Sequence, residues 1–387
     1  MKLLTYLQGL VLKGWEFNIN GEELRYKAKK SDDLSEIVDY LKNHKVEIVN
    51  LLKTEPGSLR LFPLSQGQRA LWFLWQLEPN NAAYNMPFGY HIFSQVNIPL
   101  MKSVFKNILG KHPALRTKFL SVNGEPAQKV LDVDDVDFLQ IDSLSWTKSA
   151  IEKEIQRQSI AKFDLENGPL LRVRLLSKKS DEHILIINMH HICTDGLSLG
   201  LIAADFIGFY SSLQDEAKSE GGSEDNVKES PLKVANSLPG YEAFIQWQHD
   251  ILTHDGDRLL EYWSKKLDNA PQKLDLLTDK IRPVHQTHNG ASVSFSINEP
   301  TVLAIKSLAK NSGSTPFAVL LSAYLILLSR HSGQDDIVIG TPTSGRGNDA
   351  FDQTVGYFAD TVPIRANLDG NPSFMEFLNQ NKQNVLE

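Results

Sequence analysis

The run Ile184-Leu185-Ile186-Ile187-Asn188-Met189 constrains the fold more than any other stretch of the chain. It is almost wholly apolar with β-branched weight, so it reads as a strand covered on both faces. Such a strand needs layers above and below it, which points to an α/β architecture. At its end stand His190 and His191. Side chains alternate across a strand, so only one of these imidazoles faces a given cleft and the other is structural. Asp195 and Gly196 then turn the chain into a helix that starts near Leu197 or Ser198 and carries Leu201, Ile202 and Phe206. A strand end, a turn and a helix start bring side chains beside free backbone amides, which is where layered folds place reactive groups. A lone histidine is ordinarily a satisfied core residue. The grouping His190-His191-Ile192-Cys193-Thr194-Asp195-Gly196 on a buried strand favours a site instead. Cys193 within it reads as a small buried filler, not a nucleophile.

From Leu61 onward, strand-like and helix-like stretches alternate. Helices are expected over Tyr241–Gln248, Thr301–Lys310 and Thr315–His331, the last with Thr315 as N-cap before Pro316. A strand is expected at Asp336–Gly340. Residues 214–230 carry almost no apolar side chain and are expected to form a mobile surface loop.

Residues 1–56 form a separate small unit, ended by Thr54-Glu55-Pro56-Gly57-Ser58. Leu3, Leu4, Leu7, Leu10 and Val11 have helical spacing. Trp15, Phe17 and Ile19 alternate up to Asn20-Gly21, a hairpin signal, with Leu24 and Tyr26 beyond it. Two short helices follow, one carrying Leu34, Ile37, Val38 and Leu41, the other Val46, Val49, Leu51 and Leu52. The return strand and its exit gather Arg25, Lys27, Lys29 and Lys30. That basic stripe fits either an added acidic strand from a partner or a solvated edge protected by lysines.

Composition excludes several classes. A net charge of −7 without a concentrated basic face speaks against nucleic acid as a partner. The single cysteine forms no internal disulfide and no Cys/His cluster has metal spacing, so a reducing cytoplasm fits and no metal is expected. The N-terminal apolar stretch is interrupted by Thr5, Tyr6 and Gln8 and lacks a cleavage site, which argues against a signal peptide. No apolar run reaches the ~18 residues of a membrane helix, so no membrane partner is expected.

Five segments, in order, carry a family resemblance. Leu64-Ser65-Gln66-Gly67-Gln68-Arg69-Ala70-Leu71-Trp72 comes first and Lys111-His112-Pro113-Ala114-Leu115-Arg116-Thr117-Lys118-Phe119 second. Met189–Gly196 is the third, Tyr241–Trp247 the fourth and Val355–Arg365 the fifth. Together they resemble the motifs of nonribosomal peptide synthetase condensation domains, members of the chloramphenicol-acetyltransferase-like superfamily. Residues 1–56 resemble TubC-type N-terminal docking domains. Departures are the looser opening motif at Gly67 and Gln68, Leu197 where many members have Trp, and Asp360 where many have Asn.

The resemblance implies a V-shaped pair of α/β lobes behind a small α-β-β-α-α docking domain at 1–56. The expected boundaries are a linker at 57–62, an N-lobe at 63–236 and a C-lobe at 237–387 whose later family motifs would follow Glu387. It implies amide formation between an upstream carrier-bound acyl or peptidyl thioester and a downstream carrier-bound aminoacyl group, in a peptide or hybrid polyketide/peptide synthetase. No cofactor is bound by the chain itself; partner carrier domains supply phosphopantetheine arms. His191 would orient the amine and handle its proton, with the Gly196 amide helping to place reactants. His190 would be structural, and Asp195 would pair with Arg116. Arg25, Lys27, Lys29 and Lys30 would receive the acidic C-terminal docking peptide of an upstream synthetase. Alternatives are an epimerisation-type relative, which would follow its carrier and not a docking unit, and a non-catalytic docking fragment.

Overall fold

The computed structural model describes residues 3–28, 34–55, 57–219, 239–284, 287 and 290–386. The chain divides into two compact units, Met1–His249 with Ser344–Ala359, and Asp250–Thr343 with Asp360–Glu387. Residues 344–359, expected in the C-lobe, thus belong to the first unit, held there by a buried ion pair at the functional site.

The first unit opens with α1 (Leu3–Leu12), the hairpin β1 (Glu16–Asn20) and β2 (Glu23–Lys27), then α2 (Leu34–Asn43) and α3 (Lys45–Thr54). Leu7, Leu10, Trp15, Leu41 and Ile48 make their common core. It is not an isolated bead. Val11 and Leu12 pack with Leu61, Val122 and Ala127, and Gln8 Nε2 donates to the Ser58 carbonyl at 3.1 Å. The expected linker at 57–62 is therefore built into the fold, because Ser58 and Leu61 are buried and Leu61–Pro63 forms strand β3.

After β3 come α4 (Gln66–Leu77), β4 (Asn85–Ile92), α5 (Ile98–Lys111), β5 (Thr117–Val122), β6 (Glu125–Val130), β7 (Asp137–Asp142) and α6 (Lys148–Ser159). Then follow β8 (Leu171–Lys179), β9 (Glu182–His190), α7 (Gly196–Ser219) and α8 (Tyr241–Lys266). One sheet has the order β3-β6-β5 and the other β4-β9-β8-β7. The apolar run is β9, which pairs antiparallel with both β4 and β8. Every residue from His183 to His190 is buried. One face of β9 packs with Phe105 of α5 and Ile202 of α7, the other with Ile151 of α6. Each Ile or Leu buried in this way contributes ~1.5–3 kcal/mol before entropy, so the strand that ends at the histidines is among the best anchored of the unit.

The first residues of the loop expected over 214–230 are helical instead. Gln214–Ser219 continue α7 because Leu213, buried in the core, ties down its last turns; residues 220–230 lie outside the described residues. The stretch Gly196–Glu216 is also long and apolar enough to cross a membrane, contrary to the expectation that no such stretch exists. It lays Leu199, Ile202 and Phe206 against the sheet.

In the second unit α9 (Glu299–Asn311) and α10 (Pro316–Ser332) precede the antiparallel pair β10 (Asp336–Thr343) and β11 (Asp360–Asn367), with α11 (Phe374–Leu386) last. Thr315 caps α10, its hydroxyl accepting from the Ala318 amide at 3.2 Å. Leu321, Leu325 and Leu328 of α10 meet Ile337, Ile364 and Phe377. Strand β10 runs past Gly340 because Thr341–Thr343 find ladder partners in Val362–Asp360.

Candidate functional site

His190 ends β9 and His191 opens the single turn His191–Cys193, so the two rings lie in different surroundings. His190 is 3% exposed, lies between Tyr84 and Phe163, and accepts the Ile192 amide proton at Nδ1 (3.1 Å). Burial, aided by the neighbouring His191, pushes its imidazole down from 6.5 to about 3. It is a neutral, structural ring. An acid-stability consequence follows, with a definite sign: below pH 6.5 the unfolded chain binds a proton that the native ring refuses until about pH 3. Stability is lost as pH falls across that window, at ~1.4 kcal/mol per unit. Between pH 7 and 5, urea unfolding should show wild type losing about 2 kcal/mol more than His190→Asn. Equal losses would mean that the ring is hydrated.

His191 is half-buried, and its Nδ1 lies 2.8 Å from the Thr194 carbonyl oxygen. A carbonyl only accepts, so Nδ1 carries the proton, and Nε2 of the neutral ring is left as an acceptor. The Tyr357 ring meets the imidazole edge-on, with centroids 5.0 Å apart at 78°. Behind Tyr357 sits Gly67, where a Cβ would lie 2.8 Å from the ring; glycine in the opening motif leaves that ring its place. Tyr241 donates its phenol proton to the Tyr357 carbonyl and receives the Ser65 hydroxyl proton at 3.0 Å. Burial raises the Tyr241 phenol far above its ordinary range, so it stays a donor. Ser65 and Gln68 form a capping box at the head of α4, and Gln68 Nε2 reaches the Ile192 carbonyl at 3.1 Å. The first, third, fourth and fifth segments thereby converge on one imidazole.

Asp195 is structural, but its partner is not Arg116. The carboxylate is 2% exposed and caps α7, accepting from the Ser198 amide at 2.7 Å. Its other oxygen accepts from the Phe358 amide at 3.2 Å. The cation beside it is Arg346, whose Nη2 lies 3.3 Å from Asp195 Oδ1 and 3.2 Å from Ser198 Oγ. Nη1 of Arg346 bonds the Phe351 and Thr354 carbonyls, and its guanidinium lies 4.1 Å from the Phe358 ring centroid. Gly345 and Gly347, both at positive φ, let this loop close; a Cβ on Gly345 would strike the Phe358 carbonyl. This pairing is why residues 344–359 belong to the first unit. Arg116 bonds the Leu109 and Leu131 carbonyls instead, tying the end of α5 to the residue that follows β6. The second segment reaches α7 by another route: Lys111 and His112 both hold Asp205, at 2.5 and 2.7 Å.

Gly196 opens α7 with nothing within 4 Å of where a Cβ would stand, and its amide is one of the four at the helix head outside the helical ladder. The Cys193 thiol is buried, donates to the His190 carbonyl and is pushed up to about 12, so it is no nucleophile. Among the described residues, no three His, Cys, Asp or Glu side chains gather as a metal site requires. In the N-terminal hairpin, Arg25 is exposed and pairs with Glu23 at 2.9 Å, and Lys27 is exposed; Lys29 and Lys30 lie outside the described residues. The sequence reading missed Arg346, Ser198 and Tyr357. Its available signal was Gly345-Arg346-Gly347, an arginine between two glycines just ahead of the fifth segment.

Comparison with known proteins bears on this geometry. A linear gramicidin synthase of Brevibacillus parabrevis is 33% identical over 330 residues, covering 84% of this chain and 4% of the relative. Malpinin synthetase of Mortierella alpina is 35% identical over 333 residues, with the same coverage. Bacitracin synthase 2 of Bacillus licheniformis is 32% identical over 327 residues, covering 84% and 12%. The chain thus spans a small part of these relatives. Among solved structures, a four-domain nonribosomal peptide synthetase bound to AMP and glycine gives a TM-score of 0.72 at 23% identity, covering 84% of this chain and 24% of that one. The first condensation domain of the calcium-dependent antibiotic synthetase, in complex with a substrate analogue, gives 0.64 at 17%, covering 84% and 73%. The family model described as Condensation domain matches residues 59–387, and the chain therefore belongs to the condensation-domain family.

Proposed function

We propose that this chain joins two carrier-borne substrates through an amide bond, as part of a nonribosomal peptide synthetase or a hybrid polyketide/peptide synthetase. An upstream carrier brings an acyl or peptidyl thioester and a downstream carrier an aminoacyl thioester, each on a phosphopantetheine arm. The observation that carries this reading is the His191 ring, with Nδ1 committed to the Thr194 carbonyl and Nε2 left to accept. The acceptor's amine attacks the thioester carbonyl carbon, forming the C–N bond and moving the carbonyl electrons onto oxygen. Collapse restores the carbonyl and expels the donor thiolate. The proton lost by nitrogen passes to His191 Nε2 and leaves on the thiol. No covalent bond to the protein forms, and the Gly196 amide at the head of α7 is the candidate to stabilise the developing charge, the Ser198 amide being held by Asp195. The test is product mass from carrier-loaded donor and acceptor: amide product with both carriers and none without the chain is expected. Absence of product under these conditions would leave a recruitment module.

The N-terminal hairpin serves, in this reading, to dock the acidic C-terminal peptide of the upstream synthetase, a role supported by the exposed Arg25 and Lys27 on β2. Changing Lys29 and Lys30 to Glu should weaken binding of such a peptide about tenfold in low salt, the difference shrinking as salt screens it. Unchanged affinity in a titration would rule the hairpin out as the receiver.

A further inference from the structure

Between the β4–β9 strand pair and α7 lies a cavity of about 300 Å³. The strands supply Phe88, Leu185, Ile187 and Met189 to its wall, and α7 supplies Ile202 and Ala203. Among the described residues that line it, Tyr90 alone has a hydroxyl and none is charged. Its place is set by the same elements that build the site. Leu185, Ile187 and Met189 share one face of β9, and His191 follows two residues on. Phe88 stands opposite Ile187, and Tyr90 opposite Leu185. The cavity therefore follows the strand away from His191, over ~13 Å from Met189 to Leu185 at ~3.3 Å per residue. The cavity opens to solvent on one side, where Tyr90 is 49% and Ile207 67% exposed, and apolar surface left uncovered in this way forgoes the free energy of its burial. A cavity kept two residues along the strand from His191, with the Tyr90 hydroxyl as its one polar group among the described lining residues, has the character of a ligand pocket.

We infer that this cavity receives the acyl chain of the donor, and that the donor is a long apolar acyl thioester. An apolar cavity of ~150 Å³ accommodates a benzene ring, so one twice as large suits a chain of about eight to twelve carbons. The inference rests on the reading of His191 as the centre of acyl transfer from a thioester.

Titration calorimetry of the full chain with octanoyl-pantetheine and acetyl-pantetheine tests it. Octanoyl-pantetheine should bind at least ~30-fold more tightly, since each buried methylene favours binding. Ala203→Trp, which fills the cavity, should abolish the difference by lowering octanoyl-pantetheine binding to the level of acetyl-pantetheine. Ile207, another lining residue, is 67% exposed, so Ile207→Asp places a charge at the mouth without disturbing the core and should weaken octanoyl binding about tenfold. Equal binding of the two thioesters to wild type, or a preference that survives both substitutions, overturns the inference. Condensation assays on the same proteins separate the two readings. Chain-dependent binding without amide product removes the catalytic reading and keeps the pocket; amide product indifferent to chain length removes the pocket alone.

Discussion

Replacing Arg346 with Ala is expected to destabilise the first unit by about 3–5 kcal/mol, the range for removing one partner of a buried ion pair. The size comes from what is stranded and not from what is lost. Asp195, 2% exposed, keeps the Ser198 and Phe358 amides but loses the one cation paired with it among the described residues, and a buried carboxylate without one is strongly disfavoured. The Phe351 and Thr354 carbonyls lose a donor, and the Phe358 ring loses the guanidinium over its face. Urea unfolding at pH 7 should show a midpoint lower by ~1 M or more with little change in slope. Neutralising the stranded carboxylate should recover part of the loss, so Arg346→Ala and Asp195→Asn should couple by ~1–3 kcal/mol. Arg116→Ala with Asp195→Asn should instead be additive within ~0.5 kcal/mol, because Arg116 spends its donors on the Leu109 and Leu131 carbonyls. A large Arg116 coupling with a small Arg346 one would reverse the assignment.

How far the chain can be read in advance depends on the range of the interactions. The run 184–189 announces β9 because covering both faces leaves an apolar record in consecutive residues, and Thr315-Pro316 announces α10 because capping is local. Alternation says that the two histidines must part; only their surroundings, aromatic rings and the Ile192 amide for His190 and the Thr194 carbonyl for His191, say which is which. The pairing of Asp195 with Arg346 spans 151 positions, and no local pattern encodes it. Helix α8 is legible only to Gln248 because its later apolar residues, Ile251, Leu252, Leu259, Leu260, Tyr262 and Trp263, are split by the polar stretch 253–258 with Gly256 inside it and none of them is buried. Ion pairs such as Arg258–Asp255 and Lys265–Glu261 lie on its later turns, and its buried side chains all lie between Tyr241 and Ile245.

His191→Ala is expected to slow condensation by about 10²–10⁴, the usual worth of a positioned acid–base side chain. The lower bound already discriminates between roles. A free α-amino group titrates near 8, so about one-tenth of it is neutral at pH 7. A residue that did no more than deprotonate the waiting amine could therefore contribute about tenfold, and a loss beyond that must come from the transition state. In the proposed reaction His191 suits that later role: the Thr194 carbonyl fixes one nitrogen, the Tyr357 ring packs edge-on, and Nε2 would meet the proton as the C–N bond forms. Single-turnover rates with saturating carrier-bound donor and acceptor at pH 7 and 9 separate the cases. Raising the pH should return no more than about tenfold to the variant, leaving most of its deficit in place. A half-buried side chain can be truncated without unfolding the unit, so an unchanged urea midpoint should accompany the loss. A deficit under about tenfold that vanishes at pH 9 would reduce His191 to an ordinary base and leave the acceleration to alignment of the two substrates.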